Sequence, residues 1–165
     1  MNAIGQVVTE IANREFNGEC YNGPNFLTTL HSLSLEQVIS TETLEGYSVY
    51  GIALHVLLCK HMMCRHLEGQ IEEYPYDKAD FPKVPGRVEE ADWQQILDKL
   101  VEYHDALNRT ILEIDDAGLE KPIPEWRIPR RNAVIWYPTH DTYHTAQIRN
   151  MGVPGLEIKP PAQVE

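Results

Sequence analysis

The stretch His140-Asp141-Thr142-Tyr143-His144-Thr145-Ala146-Gln147-Ile148-Arg149-Asn150-Met151-Gly152 reads as a helix carrying two histidines four positions apart. Residues at that spacing lie on one helical face, so both imidazoles can point at one place. Neutral imidazole is the commonest protein ligand for zinc, nickel and related divalent ions. The pair is therefore candidate half of a metal site, although a chain with seven histidines also meets this spacing by chance.

A third histidine, His55, stands in the most apolar segment of the chain, residues 49–58, where a polar ring needs a partner. Ser48 is a good N-cap for a helix running to Glu68 and closed by Gly69, and its first half is apolar nearly all round. Such a helix belongs in the middle of a fold. At ~1.5 Å per residue it spans roughly 30 Å. His55 falls about two turns in, sharing a face with Ile52, Cys59 and Met62. Three neutral ligands leave coordination positions open, which is the catalytic pattern for zinc. The same residues also permit a plainer reading, in which His55 and His104 are hydrogen-bonded core residues and the pair is coincidence.

Composition narrows the class of protein. A chain of 165 residues with 42% apolar content suits one compact domain, expected over residues 1–156, with a loosely held tail over 157–165. Fourteen basic against 25 acidic residues give a formal charge of -11, which repels phosphate backbones and anionic lipid surfaces. No nucleic acid and no membrane partner is expected. Cys20, Cys59 and Cys64 form no Cys-x-x-Cys pair, and no signal segment opens the chain, which fits a reducing cytoplasm.

Around the two histidine helices, the pattern predicts a first helix over residues 3–17 capped by Asn2, and a short one ending near Thr41 behind the capping box of Ser34 and Gln37. Trp93, Ile96, Leu97, Leu100, His104, Leu107, Ile111 and Ile114 mark the clearest amphipathic helix, ending near Asp116. The last helix is expected over residues 130–151, with Pro138 kinking it or marking its true start. Between residues 71 and 90 lies a long crossover rich in aromatic groups and proline, read either as the rim of a pocket or as a packed connection. Four helices, long crossovers and no strand alternation indicate an all-α four-helix bundle.

Other constellations are weaker. His140-Asp141-x-x-His144 has metallopeptidase spacing with Asp141 in place of glutamate, one methylene too short to reach a metal-bound water well. A di-iron bundle needs Glu-x-x-His on two helices, which this chain lacks. Cys59 reads as a small buried hydrophobe or as a contact to the metal or substrate, and Met62 and Met63 as core filler. His31, His61 and His66 are expected to face solvent.

Taken together, the chain resembles the DinB/YfiT-like proteins, small metal-binding four-helix bundles. The likeness rests on His140-x-x-x-His144 followed by Thr145, Ala146 and Gln147, on Ser48-Val49 seven positions before His55, on an entry turn over residues 16–26, and on Ala91-Asp92-Trp93. It covers residues 16–154. Ala146 replaces the family's usual glycine, and Leu57, Leu58 and Cys59 stand where relatives often carry polar groups. The resemblance implies a divalent ion, zinc or nickel, bound by His55, His140 and His144, and a homodimer. It further implies a metal-dependent hydrolase or a transferase using a low-molecular-weight thiol on a small electrophilic substrate, with no catalytic base assigned. The alternative is a non-catalytic, stress-related bundle whose metal site is structural or vestigial.

Overall fold

The computed structural model describes residues 2–21 and 23–157. Among them are seven helices: α1 Ala3–Phe16, α2 Phe26–His31, α3 Leu35–Ile39, α4 Val49–His66, α5 Glu90–Glu113, α6 Asp116–Leu119 and α7 Arg130–Asn150. The fold is thus mainly helical, in line with the all-α reading. One correction is small: β1 Pro122–Ile123 pairs antiparallel with β2 Ile128–Pro129, a two-residue ladder too short to leave an alternation in the sequence. Of the expected tail, residues 158–165 lie outside the described residues.

Local signals place the ends of these helices. The side chain of Asn2 accepts from the Gly5 amide at the start of α1, and Ser48 accepts from the Gly51 amide at the start of α4. Ser34 and Gln37 close a reciprocal capping box on α3. At the far end of α7, Gly152 takes φ 76°, the left-handed conformation that stops a helix and that a side chain disfavours. Pro138 does not mark the start of α7, which begins eight residues earlier at Arg130 and runs through it.

Packing follows from the apolar faces. α1 lies along α7 and α4 along α5, while α4 also meets α7 and α1 meets α5, so the four long helices enclose a common interior. One apolar cluster gathers Phe16, Phe26, Leu30, Ile52, Leu57, Leu100, Tyr103 and Ile148. The other holds Ala12, Cys64, Leu107, Ile111, Val134 and Tyr137. α4 contributes to both, as an element apolar on most sides must. Each fully buried leucine, isoleucine or phenylalanine here contributes about 1.5–3 kcal/mol of transfer free energy.

The crossover between α4 and α5 is held against α4 rather than looping free. A Cβ on Gly51 would lie 2.8 Å from the Pro82 carbonyl oxygen, so glycine there permits the backbone of the crossover to touch the helix. The Tyr74 hydroxyl donates to the Leu54 carbonyl at 3.0 Å, and His61 donates to the Glu72 carbonyl at 3.0 Å. That bond overturns the solvent-facing reading of His61, which is buried beneath the crossover. His66 is half-buried against Trp126, and only His31 of the three is exposed.

Candidate metal centre

Ser48 sets the phase of α4 so that His55 points at α7, where His140 and His144 stand one turn apart. The Nε2 atom of His140 lies 3.2 Å from the Nε2 of His55 and 3.2 Å from that of His144. Nitrogen ligands at ~2.0–2.1 Å from a tetrahedral zinc would stand about 3.3 Å from one another. One ligand atom from each of the three rings falls within 4.8 Å of the others, so the residues singled out in the sequence are brought together in space.

The tautomers follow from what the outward nitrogens do. Nδ1 of His55 donates to the Asp80 carbonyl at 2.9 Å, with the Asp80 carboxylate also 2.9 Å away. Nδ1 of His144 donates to Oε1 of Gln147 at 2.7 Å, and the Gln147 amide in turn donates to Glu45. A neutral imidazole that donates from Nδ1 presents a lone pair at Nε2. Two lone pairs therefore converge on the Nε2 of His140, whose single proton could satisfy only one of them. A divalent cation satisfies all three, and the outer hydrogen bonds fix ring orientation and raise ligand basicity as they do around zinc.

Protons compete poorly for the site. Burial, then the neighbouring His144 and His55, push His140 down to about 3. Burial pushes His144 down to about 4 despite the opposing hydrogen bond to Gln147. The rings of His140 and His144 are thus neutral, as ligands must be, through the whole physiological range.

The crossover covers the centre. Phe81 stacks on His55 at 4.6 Å between ring centroids and on Tyr47 at 4.4 Å. Of the two readings of that segment, the rim of a site is the one its contacts favour. Cys59 stands one turn beyond His55 with its sulfur 3.7 Å from the His55 Nε2, half-buried at the edge of the cluster rather than in the core. Burial raises its thiol to about 11.

Asp141 does not face the histidine centre. It is 0% exposed and accepts two bonds from Nζ of Lys60, itself 2% exposed, at 2.8 and 2.6 Å. The Lys60 ammonium lies 4.7 Å from the ring centres of both Phe16 and Tyr137. Burial lowers Lys60 and raises Asp141, and their mutual contact opposes both shifts. Asp141 is therefore not placed as a peptidase base.

His104 proves to be a core residue, as its plainer reading has it. It accepts from the Tyr137 hydroxyl at 2.6 Å and donates from Nε2 to Asn13 at 2.8 Å. Sequence reasoning missed Lys60 and Asp80. Lys60 follows the apolar first half of its helix and stands among charged residues, so nothing local signals its burial. Asp80 lies in an irregular segment where no period marks orientation.

The DinB superfamily model matches residues 22–148, which include all three histidines, and the chain belongs to this superfamily. No curated protein and no solved structure matches the chain.

Proposed function

We propose that the protein is a metal-dependent enzyme built on a DinB-type four-helix bundle, holding a zinc or nickel ion on His55, His140 and His144. The observation that carries this is the convergence of the three Nε2 atoms, with two of the rings locked from behind by Asp80 and Gln147. The ion supplies Lewis acidity that draws a thiol or water towards its deprotonated form near neutral pH. His55, His140 and His144 contribute no charge of their own, so the positive charge at the centre stays undiminished. Phe81 and Tyr47 shield one side from water.

The reaction is transfer of a low-molecular-weight thiol, or hydrolysis, at a small electrophile. In transfer, the thiol sulfur forms a bond to the electrophilic carbon, the leaving group departs with the bonding pair, and the thiol proton goes to solvent. The free cysteines support a cytoplasmic setting. The homodimer that the resemblance implies would cover Ile4, Val7 and Ile11, which α1 leaves exposed beside Ile135.

The test is metal content per chain of untagged protein and of His144→Ala, followed by thiol-transfer and hydrolysis assays. Near-stoichiometric zinc or nickel, lost in the variant together with activity but with the helical signal kept, supports an enzyme. No metal after reconstitution would sink the proposal. Metal whose loss lowers the melting temperature, with no activity towards any electrophile, would favour a structural site. Sedimentation of the wild type against Val7→Asp tests the dimer.

A further inference from the structure

Beside the histidine cluster, residues of α4, α5 and α7 with Trp126 line a cleft of about 540 Å³. Its walls are Met62, Met63, Leu107, Trp126, Trp136 and Tyr143. The sequence reading of Met62 and Met63 as core filler does not hold for Met62, which is 39% exposed at the mouth of this cleft. Trp136 is 55% and Tyr143 63% exposed, so this wall offers broad aromatic surface to an occupant. His140 and Cys59 line one end, so the cleft reaches the edge of the three-histidine centre.

The polar side chains at the inner end of these walls, Lys60, Tyr137 and Thr139, are already committed. Nζ of Lys60 is held by both oxygens of Asp141, and the Tyr137 hydroxyl donates to Nδ1 of His104. The Thr139 hydroxyl donates to the Trp136 carbonyl at 2.6 Å. No unpaired cationic side chain lines the cleft, and the chain as a whole carries -11. Along these side-chain walls, away from the centre, an anionic group would lose its hydration and find no counter-charge. An apolar ring would lose nothing and gain two indoles, two thioethers and a leucine. Volume agrees, since small-molecule sites span roughly 300–1,000 Å³.

We propose that this cleft binds an uncharged aromatic group of the electrophilic substrate and presents it to the three-histidine centre. The proposal rests on the metal-dependent reading above and adds to it the substrate class: neutral, aromatic electrophiles rather than anionic or strongly polar ones.

The experiment uses cobalt-loaded full-length protein with 1-naphthol as probe and 1-naphthalenesulfonate as its charged counterpart. Cobalt uptake is measured separately. Tryptophan fluorescence reads binding, because Trp126 and Trp136 line the cleft. Saturable quenching by 1-naphthol is expected, at least tenfold weaker for Trp136→Ala and at least tenfold weaker for the sulfonate. Met62→Glu is a second variant with the same expected loss, and both substitutions fall at exposed positions that the fold tolerates. Paramagnetic broadening of the 1-naphthol proton signals by cobalt is expected, since the bound ring ends beside His140.

Equal affinity in wild type and both variants, equal affinity for the sulfonate, or binding without broadening in cobalt-loaded protein would each overturn the proposal. Stoichiometric cobalt with no 1-naphthol binding overturns the cleft alone. Variant-sensitive 1-naphthol binding in protein that takes up no cobalt supports the aromatic cleft and overturns the metal reading instead.

Discussion

Gln147 stands one turn after His144 on α7 and accepts the Nδ1 proton of that imidazole at 2.7 Å, so one helix supplies both a candidate ligand and the group that orients it. Removing such an outer partner lowers metal affinity about 10–100-fold around comparable centres. Gln147→Ala is expected to weaken zinc binding by that factor with the helical signal unchanged. Gln147→Glu keeps an acceptor and restores most of it. Competition against a chromophoric chelator measures both, and unchanged affinity in Gln147→Ala would show that the bond does not act on the site.

The buried pair of Lys60 and Asp141 gives an asymmetric expectation. Asp141→Asn leaves an ammonium in the interior without its counter-charge, a loss of about 3–5 kcal/mol. Replacing both partners at once, as Lys60→Met with Asp141→Leu, removes the buried charges together and is expected to recover most of that stability. Urea unfolding of the two variants decides it. A single variant within 1 kcal/mol of wild type, on the order of ordinary surface changes, would contradict the pairing.

Acid sensitivity follows from His104. Burial, with Lys60 nearby, holds this ring down to about 2, against 6.5 in an ordinary histidine. Between those values the unfolded chain binds a proton that the native state refuses. Stability from this group is therefore complete above pH 6.5 and falls as pH drops towards 2, by up to ~1.4 kcal/mol per pH unit. His104→Gln in metal-free protein is expected to flatten the acid limb of the stability profile by about one proton. Parallel slopes in variant and wild type would rule out the effect.

Gly51 gives a test of the crossover. A methyl group there would meet the Pro82 carbonyl at 2.8 Å, a backbone atom that must move. Gly51→Ala is helix-favouring in itself, by roughly 1 kcal/mol over glycine. It is nevertheless expected to displace Phe81 and Asp80 and to weaken zinc binding several-fold, read by the same chelator competition. Tighter or equal binding would show that the position of the crossover does not matter to the centre.

What could be read in the sequence was what local chemistry writes. Asn2, Ser34 and Ser48 announce helix starts through a hydroxyl or amide that satisfies nearby amides, and each cap is formed. His140 and His144 share a face because helical geometry makes them do so. His55 was conspicuous as a polar ring in an apolar run. Pairings distant in sequence left no such mark: Lys60 and Asp141 are 81 positions apart, and Asp80 reaches back 25 positions to His55. Their partners follow from the fold alone. Helices α2 and α6, of six and four residues, are too short to show a period. His61 looks like a surface residue by its charged neighbours, and only the crossover lying over it makes it interior.

The ion pair has one more effect. Lys60 is next in sequence to Cys59, and Asp141 is next to His140, so on each helix a residue at the centre's edge precedes a residue turned inward to the pair. Neighbouring helical residues point about 100° apart. Rolling either α4 or α7 about its axis by one residue would part Lys60 from Asp141 and turn a side chain of the histidine cluster away from its partners. The pair thus acts as a rotational detent between two helices that touch along only part of their length. A variant with an all-apolar substitute can be as stable and still lose the single phase at which His55 meets His140.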